Sequence, residues 1–151
     1  MLDKTETTIL KLLEDDGRLS YAELGEKVGL SKSPCWSRVR ELERQGVIRR
    51  YRAEIDAAAV GLDLHAFVQV TINSARHTDF EAAVNRHPSV LECFTTAGQA
   101  DYLLHVLVRG IGELDDLLRS QISRLPGVQR LETTVCMKTI KHRGSVMACL
   151  R

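Results

Sequence analysis

Residues 19–50, LSYAELGEKVGLSKSPCWSRVRELERQGVIRR, leave the chain little freedom in its local structure. Ser20 is followed three residues later by Glu23, the spacing at which a hydroxyl caps a helix start and a carboxylate reaches back to the cap's own N–H. The helix so opened is expected to run to about Val28, with Gly29 supplying the turn. Ser31 opens a second helix, Pro34 is tolerated in its first turn, and Gly46 ends it. Cys35, Val39 and Leu42 define the inner face of that helix. At about 100° per residue, Ser33, Ser37, Arg40 and Arg44 then point outward, flanked by Lys32 and Trp36. Two short helices, a glycine turn and arginines on the outer face of the second make the layout of a helix-turn-helix that reads duplex DNA.

Charge agrees with this locally. The chain is nearly neutral, at a formal +1, yet residues 31–52 carry seven basic side chains against two acidic ones. One concentrated basic face on a near-neutral protein points to a specific duplex binder rather than a nonspecific polycation. No apolar run approaches the ~20 residues that span a bilayer, and the N-terminus has no signal-peptide core, so a cytoplasmic protein is expected. Cys35, Cys93, Cys136 and Cys149 lack C-x-x-C spacing and have no histidine at ligand spacing. They read as reduced thiols, with no metal site, and Cys35 as a small core residue.

Asp3 and Glu6 repeat the capping spacing ahead of a first helix whose apolar stripe is Ile9, Leu12 and Leu13. Three short helices thus share one small core, and Val47–Glu54 is expected to follow as a basic strand. Residues 53–63 read as a connector, separating a DNA-binding domain at 1–52 from a second domain at 64–151. Beyond the connector, Leu64, Ala66, Val68, Val70 and Ile72 alternate with His65, Gln69 and Thr71, the period of a strand. A helix at 77–86, strands at 90–96 and 102–108 around Gly98, a helix from Ile111 stopped by Pro126-Gly127, and a last strand at 128–139 complete the pattern. Strand-helix-strand-strand-helix-strand is the split βαβ of ferredoxin-like domains, so the fold class is α+β. With both helices on one face, the other face of the sheet carries Phe67 and Phe94 out of phase with polar neighbours. That partly apolar face predicts a homodimer by sheet-to-sheet packing.

The residues then carry a family likeness over nearly the whole chain. LDKTETTILKLLEDDGRLS, LSKSPCWSRVRELERQGVI and TAGQADYLLHV, in that order, resemble the Lrp/AsnC (feast/famine) transcription regulators. The resemblance implies an N-terminal winged helix-turn-helix and a ferredoxin-like domain for effector binding and oligomerisation. It implies no cofactor, double-stranded DNA and a small effector, an amino acid, as partners, and assembly as a dimer, with tetramers and octamers both compatible. Gly25 stands where the family usually has Ala. Gly costs about 1 kcal/mol against Ala in a helix interior, which predicts a soft second helix.

For DNA contact the expected residues are Ser31, Lys32, Ser33, Trp36, Ser37, Arg38, Arg40, Arg44, Arg49 and Arg50. Arg40 has the fork to bind guanine O6 and N7, the hydroxyls can meet base edges, and Trp36 can pack on a thymine methyl or on sugar. Arg38, which resembles a near-invariant family arginine, is open to two roles, phosphate contact or an ion pair with a neighbouring acid. Arg49, Arg50 and Arg52 read either as phosphate contacts or as a solvated basic edge. By resemblance, effector contact falls on Gly98, Asp101, Tyr102, Thr133 and Thr134. Asp101 suits an α-ammonium and the Gly98 N–H a carboxylate, although Gly-x-x-Asp is also ordinary turn chemistry. Two other functions fit a similar layout. One is a siroheme-decarboxylase-like enzyme, for which His65 and His105 would meet on the sheet. The other is an architectural DNA-binding protein without an effector.

Overall fold

The computed structural model describes residues 2–142 and 144–150. The chain forms two compact units, one of residues 1–54 together with 140–151 and one of residues 55–139.

The first unit is built on α1 (Lys4–Asp15), α2 (Tyr21–Val28) and α3 (Lys32–Arg44). Both expected capping boxes form: Asp3 with Glu6 opens α1 and Ser20 with Glu23 opens α2. Gly29 closes α2 in the left-handed region at φ 72°, where a side chain would be strained. Ser31 stands at the N-cap of α3 but its hydroxyl makes no capping bond, which leaves that oxygen available. Ile9, Leu10, Leu24, Cys35, Val39 and Leu42 make the buried core, so the inner face of α3 is the one expected.

Two features of this unit depart from the sequence reading. Residues 47–54 form no strand, because the unit offers no second strand for their N–H and C=O groups to pair with. The segment after the last strand, expected within a C-terminal domain reaching 151, instead returns to the first unit: from Ile140 onward it belongs there, and Met147 packs against the helical core.

The second unit contains β1 (Leu64–Ile72), α4 (His77–Val84), β2 (Val90–Thr95), β3 (Tyr102–Val108), α5 (Ile111–Ser120) and β4 (Val128–Val135). The strands lie in the order β2-β3-β1-β4, with all pairs antiparallel, which is the ferredoxin-like arrangement. The last strand ends at Val135, short of the expected 139. Alternate residues Ala66, Val68, Val70 and Ile72 of β1 and Tyr102, Leu104, Val106 and Val108 of β3 are buried under Phe80 and Val84 of α4 and Leu114 and Leu117 of α5. Both helices therefore cover one face. The other carries His65, Phe67, Leu103, His105 and Leu107, with Phe94 half exposed on β2. No element of this unit lies over that open face among the described residues.

Candidate nucleic-acid interface and effector site

On α3 the three inward residues are fully or almost fully buried, and this fixes the rest of the helix. Lys32, Ser33, Trp36, Ser37, Arg40 and Arg44 are all exposed. Their charges are not equally free. Arg40 is 2.9 Å from Glu43, an exposed i,i+3 pair. Arg44 forks onto Glu41 through Nε at 2.7 Å and Nη2. Chiefly through that fork, and then through Gln45, the Glu41 carboxyl is held down at about 2. Arg38 is engaged in an ion pair here: its guanidinium pairs with Asp3, with Glu6 at 3.9 Å, and so ties α3 to the start of α1. Lys32, Arg49, Arg50 and Arg52 make no ion pair among the described residues, and all four are exposed. Surface pairs contribute at most about 1 kcal/mol, so Arg40 can exchange Glu43 for a base edge at little cost.

Just behind α3, Tyr51 donates to Glu43 at 3.1 Å. Burial first, then that carboxylate, pushes its phenol up to about 12. The contact holds residues 47–54 against the end of α3 without sheet pairing. Sequence reasoning missed it, since an aromatic among three arginines gives no periodic signal.

Gly25 proves to be required by packing. A Cβ there would lie 2.5 Å from the Leu30 carbonyl oxygen, and the Leu30 N–H donates to the Gly25 carbonyl at 2.8 Å. The turn between α2 and α3 closes directly over this residue, so its glycine marks a close approach rather than a soft helix.

In the second unit the five expected effector residues do not converge. Gly98 lies on the exposed β2–β3 turn. Asp101 spends one carboxylate oxygen on the Ile72 N–H at 2.8 Å and its own N–H on the Val70 carbonyl at 3.0 Å, which locks the turn to the end of β1. Tyr102 is buried on the helix-covered face, where its hydroxyl donates to Glu81 at 2.8 Å and lies 2.7 Å from His77 Nδ1. Burial and the Glu81 carboxylate push that phenol far above its ordinary range. Thr133 pairs with Val68 and Thr134 with Phe67, so the two threonines point to opposite faces of the sheet. What does gather beside the turn is a shallow polar recess of Gln69, Thr71, Gln99, Ala100, Arg130 and Glu132 on the open face. Arg130 was not expected there. The alternation of β4 would have placed it on that face, but only once the register with β1 was known.

His65 and His105 do meet, with Nδ1 and Nε2 3.1 Å apart. His105 also stacks on Phe67 at 4.8 Å and approaches Glu92 at 3.4 Å.

Comparison with known proteins decides the family. A family model for the winged helix-turn-helix DNA-binding domain matches residues 2–49. A second, for the Lrp/AsnC ligand binding domain, matches residues 65–146. The chain belongs to the Lrp/AsnC family.

Among its relatives is the leucine-responsive regulatory protein of Salmonella typhimurium, 40% identical over 149 residues, covering 97% of this chain and 91% of the relative. A transcriptional regulator from Neisseria meningitidis, solved as a complex with L-Met, superposes with a TM-score of 0.92 at 37% identity, over 97% of this chain and 96% of that one. The leucine response regulatory protein of Mycobacterium tuberculosis gives a TM-score of 0.84 at 34% identity, over 96% and 99%. An Lrp/AsnC chain with these neighbours is a DNA-binding transcriptional regulator with a ligand-binding domain, not an enzyme. No helix among the described residues is long and apolar enough to cross a membrane.

Proposed function

We infer that this Lrp/AsnC regulator reads a specific duplex sequence with α3, acts as a homodimer in the cytoplasm, and changes its assembly or DNA affinity when it binds an amino acid. The observation that carries this reading is the division of α3. Cys35, Val39 and Leu42 are committed to the core, leaving Ser31, Lys32, Ser33, Trp36 and Ser37 exposed on its N-terminal half, with Arg40 exposed just beyond its middle. The N-terminal half of a recognition helix is the one that meets base edges. Arg44 and the unpaired Arg49 and Arg50 flank it as phosphate contacts. Arg38 contributes by holding α3 to α1.

The recess beside Gly98 supports an amino-acid effector. It holds the Arg130 guanidinium, paired with Glu132 on the surface and able to exchange that partner for an α-carboxylate, while the Asp101 carboxylate at the end of the adjoining turn keeps a second oxygen that has no hydrogen bond among the described residues and suits an α-ammonium. Gln69 and Thr134 stand on the same face. Relatives named for leucine, and a neighbour holding L-Met, favour an apolar amino acid. Tyr102 and Thr133, on the other face, shape the unit beneath the recess. The open sheet face, with Phe67, Leu103, Leu107 and Phe94, is the dimer surface in this reading.

A duplex titration near physiological salt tests it. DNA from upstream of the protein's own gene is compared with a scrambled duplex, with and without L-leucine and L-methionine. Selective binding that shifts with either amino acid is expected. Equal affinity for both duplexes would replace this reading with an architectural role, and selective binding unmoved by either would remove the effector assignment.

A further inference from the structure

We propose that Glu14, Ser145 and Met147 form a strap that positions the recognition helix, with α1 as the rigid member between strap and helix; the proposal rests on α3 being the DNA-reading element. Glu14 lies in the last turn of α1, which has no basic residue there. The helix dipole disfavours a carboxylate at that end, so Glu14 gains nothing from its own helix. Its stabilisation comes from the tail. One oxygen accepts from the Val146 N–H at 2.6 Å, and the other from the Met147 N–H at 3.1 Å and from the Ser145 hydroxyl. Ser145 Oγ in turn accepts from the Ala148 N–H at 3.0 Å, opening a short turn of helix at Met147–Cys149. The Met147 side chain then enters the same apolar cluster as Ile9, Cys35 and Val39. Ser145 is the leading cause that holds the Glu14 carboxyl below its ordinary range.

The opposite end of α1 holds α3 directly, through Asp3 and Glu6 on Arg38. Tail, α1 and recognition helix are thus joined in series by charged contacts at both ends of a helix roughly 18 Å long. Between those ends the shared core of Ile9 and Leu10 with Cys35, Val39 and Leu42 makes α1 and α3 move together. A displaced tail removes the three donors from Glu14 and the Met147 side chain from the shared apolar cluster, so that α1 shifts and carries α3 with it. Glu14 is in this sense a positioning residue for DNA reading.

Trp36 is the chain's single tryptophan and stands on α3, about half exposed, so it reports on the helix itself. The test uses the full chain with Glu14→Ala, Glu14→Gln and Ser145→Ala. Two quantities are read well below the melting temperature: acrylamide quenching of Trp36, and the ratio of affinities for the upstream and scrambled duplexes. Glu14→Ala is expected to alter Trp36 quenching and to reduce that ratio roughly three- to tenfold, the range that one lost hydrogen bond or two implies. Ser145→Ala is expected to do less, and Glu14→Gln, which keeps a carbonyl acceptor, to recover part of the loss. If Glu14→Ala does not fold, the two milder variants decide. A lower melting temperature with Trp36 quenching and the duplex ratio both unchanged overturns the proposal and makes the strap a local staple. If the unaltered protein does not discriminate the duplexes, the DNA reading fails by itself and Trp36 quenching alone decides whether the strap positions α3.

Discussion

At the scale of single residues, Gly25 and Arg40 lead to opposite expectations. Gly25→Ala gains about 1 kcal/mol of helix propensity, but its Cβ would sit 2.5 Å from the Leu30 carbonyl oxygen. Crowding of that kind costs about 1–3 kcal/mol, so the substitution is expected to lower the melting temperature, as calorimetry can check. Arg40→Ala is expected to leave the fold intact, since the ion pair it loses is exposed. It should cost about 1–3 kcal/mol of specific binding and relax preference at one base position, read from a panel of single-base variants of the duplex. Arg50→Ala should weaken all duplexes alike and lower the slope of log affinity on log salt by about one. The two arginines lie ten positions apart in one basic cluster, and these measurements separate reading from holding. Arg38, the arginine the sequence left between two roles, is engaged with Asp3 and Glu6. Nothing in its spacing could reveal that, because the partners lie on another helix.

Elements differ in how far the sequence foretells them, and the reason is where their stability comes from. The capping boxes at Asp3/Glu6 and Ser20/Glu23 are local chemistry, closed within four residues, and both form as read. The sheet was legible because its pleat buries every second residue of β1 and β3. The 47–54 segment has the composition of a strand but depends on a distant partner, and composition carries no information about whether one is present. Thr133 and Thr134 illustrate a limit of transferring roles by motif: adjacent residues on a strand face opposite ways, so only one of them can line a given recess. The tail at 145–149 has no periodicity at all, and its anchor is a carboxylate more than a hundred residues away. For α3, pH gives a direct reading. The Arg44 fork depresses the Glu41 carboxyl from 4.5 to about 2, so its stabilisation is complete above the unfolded value and is lost as pH falls through the folded one. Stability measured in acid should therefore decline between about pH 4.5 and about 2, and Glu41→Gln should flatten that decline while high salt reduces it.

For the whole molecule, the open sheet face and the two-unit organisation bear on assembly. Phe67, stacked on His105 at the centre of that face, would be desolvated in a dimer. Phe67→Asp is expected to shift the protein to monomer in sedimentation velocity while the isolated fold persists, because the side chain lies outside the helix-covered core. A dimer that survives the substitution would place the interface elsewhere. The unit that reads DNA is also discontinuous in sequence: its three helices come first and its closing segment last, with the entire sheet unit between them. Chains are made and folded from the N-terminus at about 5–20 residues per second. The helices therefore wait several seconds after leaving the ribosome before Ser145 and Met147 arrive to meet Glu14, and by then the sheet has been synthesised in full. A chain whose synthesis stops before residue 145 carries the basic helix but not the segment that ties down α1. Closure of the first unit is in this way tied to synthesis of residues 145–149, so the helices meet their last partner only after the whole sheet unit has been made.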